Sequence, residues 1–147
     1  ENEALAVEAV GLSYKAYPTC AATHLSLDAL LALRDREALT PDRIARIDTS
    51  LPLVLSRNLM HPEPRTGMEA RFSMEYCLAT AAIQGCIGLP DFEGDAIHRD
   101  AIRAFMPRIA MHPLPEADGE PPPPTSVMLT LTDGRTLQET RTERRGS

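Results

Sequence analysis

Two different periods of apolar spacing run along this chain. From Cys20 to Leu31 the apolar positions Ala21, Ala22, Leu27, Ala29, Leu30 and Leu31 recur at helical spacing, which predicts an amphipathic helix. Pro18 restricts Tyr17 to extended backbone and Thr19 stands where an N-cap would, so the helix is expected to begin near Cys20. Helical spacing returns after Ser73. Met74, Cys77, Leu78, Ala81 and Ala82 share one face, with a cap at or before Ser73 and Gly85 as the stop. Between these helices Ile44 to Leu55 shows an imperfect period of two and reads as a strand, with Pro52 marking an edge position or a strand end. Thr40-Pro41-Asp42 supplies a cap and a first-turn proline, enough for one turn.

The remaining stretches are shorter. Ala4 to Tyr14 reads as a helical end or short strand, and Asn58 to Gly67, with Pro62, Pro64 and His61, reads as a loop. A short helix carrying His98 is expected from Asp95 to Met106, then a strand from Arg108 to His112 and an irregular proline-rich linker from Pro113 to Pro124. Ser126 to Leu131 alternates, Asp133-Gly134 marks a two-residue hairpin turn, and Arg135 to Thr140 supplies the return strand. The expected class is therefore α+β: a small mixed or antiparallel sheet packed against two main helices and ending in a β-hairpin. Residues 1–147 form one domain in this reading.

Composition narrows the function. With 43% hydrophobic and 4% aromatic residues and a net charge of -6, the chain lacks the basic stripe and aromatic platforms of a nucleic-acid binder. Arg141, Arg144 and Arg145 read as a solvated tail. No apolar run is long enough for a membrane span and no signal peptide is visible, so a cytoplasmic setting is expected. The cysteines Cys20, Cys77 and Cys86 are odd in number and form no disulfide framework; Cys77 and Cys86 read as core and helix-end packing. Dispersed His24, His61, His98 and His112 do not argue for a metal, and neither a phosphate-cradling glycine loop nor a Gly-x-Ser-x-Gly elbow is present.

Chemistry concentrates between Lys15 and His24. Lys15 is the single lysine in a chain otherwise supplied with arginine, and a lysine's pKa responds to burial where an arginine's does not. In the helix expected here, Cys20 falls in the first turn, where free amides and the helix dipole favour negative charge, and His24 follows on the same face. Two readings compete. In one, Cys20 and His24 open the core stripe and Lys15 is solvated; in the other, Lys15 and the helix N-terminus form an anion site with Cys20 or His24 near the reacting atom.

The run Lys15-Ala-Tyr-Pro-Thr-Cys20-Ala-Ala-Thr-His24, followed by Leu27-Asp28-Ala29-Leu30, resembles the opening of the C-terminal domain in the MmgE/PrpD family. Glu69-Ala70-Arg71-Phe72-Ser73-Met74-Glu75-Tyr76-Cys77-Leu78-Ala79 is similar to a second family signature, and the strand and hairpin around Asp133-Gly134-Arg135 match the family's closing sheet. The family includes 2-methylcitrate dehydratase, cis-aconitate decarboxylase and an iminodisuccinate epimerase, which act on small polycarboxylates without a required metal or organic cofactor. Its members pair a large helical domain with a smaller α+β lid, with the active site between them.

The resemblance implies that this chain is the lid of a longer enzyme, inactive alone; its opening on Glu1 instead of Met agrees with a piece of something longer. Lys15 matches a lysine of the family's active site. Cys20 falls where the decarboxylase has a catalytic histidine, which leaves dehydration or epimerisation as the implied chemistry. The implied substrate contacts are Lys15, Thr19, Cys20 and His24, with Lys15 and Cys20 closest to catalysis and His24 matching a recurring histidine of open role. The helical domain would supply the remaining acid-base groups, and the intact enzyme would be a homodimer. Against these enzyme readings stands a third, a non-catalytic binding or assembly module that packs against a partner.

Overall fold

The structure, a computed structural model, describes residues 17–142; Lys15 and the element expected over Ala4 to Tyr14 lie outside them. Four strands form one sheet: β1 (Ile44–Pro52), β2 (Ile109–Leu114), β3 (Thr125–Leu131) and β4 (Thr136–Arg141), in the order β2-β1-β3-β4. β1 runs parallel to β2 and antiparallel to β3, and β3 to β4 is antiparallel, so the sheet is mixed. A parallel pair needs a long crossover, and the chain between β1 and β2 carries most of the helical turns.

Three helices longer than one turn are described: α1 (His24–Arg36), α2 (Met74–Gln84) and α3 (Asp100–Phe105). α1 lies against β3 and β4, α2 against β2, and the two pack on each other over one face of the sheet. Period two then decides what is inside. Ile47, Thr49 and Leu51 on β1 and Val127, Leu129 and Leu131 on β3 are buried beneath the helices, while Arg46, Asp48, Ser126, Met128 and Thr130 face the open side. Ile44 and Ile47 are both buried because the register shifts between Ile44 and Arg46, and this bulge is the origin of the imperfect alternation.

α2 forms as its sequence dictates. The Ser73 hydroxyl accepts from the Tyr76 amide at 3.1 Å, and Gly85 ends the helix in the left-handed conformation at φ 80°. Arg34 on α1 donates from Nε to the Ala82 carbonyl at 3.0 Å, placing a cation at the carboxyl end of α2.

Several boundaries differ from the expectation, each for a physical reason. Thr19 does not cap α1: Cys20 is extended, a 3-10 turn spans Ala21–Thr23, and the α-helix starts only at His24. The Thr19 hydroxyl is engaged instead with Thr23 Oγ1 at 2.7 Å. β1 stops at Pro52, short of the expected Leu55, and residues 53–56 form one helical turn; of the two readings of Pro52 the strand end holds and the edge position does not, since β1 is central. The helix expected over Asp95 to Met106 is broken at Arg99, whose backbone is extended and whose guanidinium reaches Gln84 and Asp91, so His98 sits on a separate 3-10 turn. β2 continues through Pro113 to Leu114, which an edge strand tolerates. The final hairpin has a three-residue loop, Thr132 to Gly134, closed by Leu131 N to Arg135 O at 2.8 Å, with Gly134 at φ 94° as its bulge residue.

Candidate functional site

The turn from Tyr17 to His24 is held from within by hydrogen bonds. The Tyr17 hydroxyl donates to the buried Asp28 carboxylate on α1, and the Tyr17 ring meets the His24 ring edge-on with centroids 5.3 Å apart. His24 Nε2 lies 3.1 Å from the Thr19 carbonyl; a carbonyl only accepts, so that nitrogen carries the proton. Thr23 donates its hydroxyl proton to the Cys20 carbonyl at 2.8 Å, which makes Thr19 the donor of the Thr19–Thr23 pair. Thr19 and His24 are thus brought together, 2% and 3% exposed, with their polar groups bonded inside the turn.

Cys20 is presented differently. It is half-buried, and its amide donates to the Arg71 carbonyl at 2.9 Å, tying the turn to the segment just before α2. One turn further into α1, Ser26 meets Thr49 on β1 through a 2.7 Å hydroxyl contact, and Thr49 donates to the Ser126 carbonyl at 3.2 Å. The start of α1 is therefore pinned both to β1 and to the approach to α2.

The other cysteines separate cleanly. Cys77 is fully buried and its thiol is pushed well up by burial, with nearby Cys20, Glu75 and Asp91 adding to the effect, so it stays protonated as a core residue. Cys86 is exposed and not packed at the helix end as expected. Among the described residues no three His, Cys, Asp or Glu side chains converge as metal ligands, and no helix is long and apolar enough to cross a membrane.

Three polar arrangements had no counterpart in the sequence reading. On the open face of the sheet Asp48 receives Arg46 Nε at 2.9 Å and contacts His112 Nε2 at 2.8 Å; partial burial works against its charge, but these bonds and charges prevail and hold the carboxyl below its ordinary range. Arg99 bonds Asp91, Gln84 and the Tyr76 hydroxyl, fastening the loop after α2 to that helix. Beside the Cys20 turn, Phe72 follows Arg71 into the wall of a cleft of about 450 Å³ that also takes in Arg57 and His61. Arg57, His61 and Phe72 share no period, so only the folded loop assembles them.

A family profile described as the MmgE/PrpD C-terminal domain matches residues 17–147. The chain belongs to the MmgE/PrpD family. No curated protein matches it. The match takes in Thr19, Cys20 and His24 together with the 69–79 run, the two stretches that the Cys20–Arg71 bond joins in space. In this MmgE/PrpD domain the two signature segments are therefore neighbours, and the half-buried thiol sits where they meet.

Proposed function

We propose that this MmgE/PrpD domain is the lid of a cofactor-independent lyase that dehydrates a small hydroxy-polycarboxylic acid. The observation that carries the reading is the braced Tyr17–His24 turn, which buries Thr19 and His24 and leaves Cys20 partly open at the start of α1. Taking a proton from a carbon next to a carboxylate builds negative charge on that carboxylate, and a fixed cation with helix-end amides lowers the cost of that charge. Lys15 supplies the cation in this scheme. Cys20 lines the pocket, and Thr19 and His24 contribute by holding the turn's shape beside the substrate. Water leaves from the neighbouring carbon, with the general acid and base drawn from the helical domain of the same enzyme, which works as a homodimer.

Epimerisation of a dicarboxylate shares the first step and differs in returning the proton to the opposite face. The half-buried Cys20 thiol is the observation in its favour, since a thiol can exchange a proton from the lid side.

An amide NMR titration of the domain with citrate, succinate and matched chloride, repeated on Lys15→Ala, tests the reading. Carboxylate-specific shifts over Thr19 to His24 that disappear in the variant are the expected result. No response at high millimolar ligand, or an equal response to chloride, would overturn the carboxylate role.

A further inference from the structure

The cleft beside the Cys20 turn has no place in the scheme above, and its chemistry is specific. Met60 and Met68 line it, 71% and 66% exposed, together with Phe72, the residue after the Arg71 that the Cys20 turn bonds. Among the described residues the Arg57 guanidinium enters no ion pair, unlike Arg36, Arg46, Arg99, Arg135 and Arg141, which each meet a carboxylate, and unlike Arg34, Arg103 and Arg108, which bond backbone carbonyls; Arg57 is the arginine that lines this cleft. Asn58 and His61 stand in the same lining.

Glu69 is the one carboxylate in the cleft, and it is already engaged. Its Oε1 accepts the Arg65 amide at 2.8 Å and lies 3.8 Å from His61 Nδ1, while its own amide is capped by Thr66 at 3.0 Å. That arrangement fixes Glu69 against the loop and leaves the Arg57 guanidinium without a carboxylate partner. An arginine fork binds a carboxylate through two parallel hydrogen bonds, and an amide and an imidazole add donors in the same lining. Met60, Met68 and Phe72 add apolar surface to the lining. A cleft of about 450 Å³ falls within the range that takes a small organic ligand.

We infer that Arg57, Asn58 and His61 form a second carboxylate subsite, which receives the far carboxylate of a small di- or tricarboxylic acid while the Cys20 turn receives the carboxylate next to the reacting carbon. The inference rests on the proposed function for its ligand class. The Cys20–Arg71 backbone bond supplies the link between the two ends, because Phe72 follows Arg71 directly into the cleft wall. Such a pair of anchors sets substrate length: both are satisfied only by an acid whose carboxylates span the distance between them.

The test is an amide-detected titration of the chain with succinate and with propionate, which keeps one carboxylate and loses the other, on the wild type, Arg57→Ala, His61→Gln and Lys15→Ala. Arg57 is exposed, so its alanine variant should retain the wild-type amide dispersion. The expected result is that succinate moves Asn58, His61 and Phe72 as well as the Cys20 turn, and that Arg57→Ala weakens succinate about five- to tenfold with little effect on propionate. Loss of succinate affinity in Lys15→Ala with none in Arg57→Ala overturns this subsite and leaves the first reading standing. The converse supports the subsite and removes Lys15 from the scheme. Equal or tighter Arg57-dependent binding of a capped aspartate peptide would assign the cleft to a protein carboxylate and overturn the small-molecule assignment.

Discussion

Replacing Thr49 by valine removes a hydroxyl from a buried contact between α1 and β1. Thr49 and Ser26 are both 0% exposed, their hydroxyls 2.7 Å apart, and the Thr49 proton goes on to the Ser126 carbonyl 3.2 Å away. Ser26 must therefore be the donor to Thr49, and Thr49→Val leaves that donor in a dry interior without a partner. Stranding a buried polar group costs about 1–3 kcal/mol. Ser26→Ala is milder, because Thr49 keeps its bond to Ser126; a lost hydrogen bond of about 1 kcal/mol is partly offset by alanine's better helix propensity of roughly 0.5 kcal/mol. The double variant removes donor and acceptor together, so it should be less destabilised than the sum of the singles by about 1 kcal/mol. Urea unfolding followed by circular dichroism, at unchanged m, measures all four corners of the cycle. A Thr49→Val variant as stable as the wild type, or strictly additive singles, would refute the argument that this pair pins α1, and with it the Cys20 turn, to β1.

Other consequences can be read as directly. Gly85→Ala would force a left-handed residue and bring a methyl within 2.6 Å of Arg34 Nη1, so it should cost about 2–4 kcal/mol in unfolding free energy, with a smaller cost when Arg34→Ala is already present. The Asp48 carboxyl is held below its ordinary range when folded, so its stabilising effect is complete above the unfolded-state pKa and is lost as pH falls through the folded one. Asp48→Asn should accordingly destabilise at neutral pH and lose that effect as the carboxyl becomes protonated in acid; an undiminished difference in acid would contradict the assignment. In native protein a thiol reagent should modify exposed Cys86 readily and Cys20 more slowly, leaving Cys77 untouched until the chain unfolds, as mass spectrometry of the labelled peptides would show.

Local signals were legible wherever one residue's chemistry decided the matter. Ser73, the apolar face through Ala82 and Gly85 marked α2 because cap, stripe and stop agree. The hairpin was legible from its glycine, though not its loop length, since Asp-Gly is compatible with either a two-residue turn or a three-residue loop with a bulge. Thr19 misled because Thr19 and Thr23 both have hydroxyls able to satisfy the backbone, and the choice between capping and bonding each other depends on the burial of the turn. Pro52 left an edge position and a strand end both open, and the structure makes it the end of a central strand, because its place in the sheet depends on β2, which pairs with β1 from 62 residues away, Pro52 against Leu114, and not on local sequence.

The candidate site divides the same way. The motif around Cys20 and His24 could be read along the chain, and so could the family. That His24 donates to Thr19, and that Cys20 is tied to Arg71, required the fold. The cleft was beyond reach for a further reason: Arg57 and His61 come from a loop whose prolines suppress any period, and Phe72 comes from the turn before α2.

The most direct test of the central claim is turnover. The proposed enzyme, this domain joined to the helical domain that the proposal calls for, should be incubated with a set of hydroxy-polycarboxylic acids and followed by proton NMR. The account predicts loss of water, seen as new vinyl signals from at least one acid, and a severe loss of rate in Lys15→Ala with the fold intact. Inversion at a carbon between carboxylates without any olefin would replace the lyase with an epimerase, and turnover unaffected by Lys15→Ala would contradict the account.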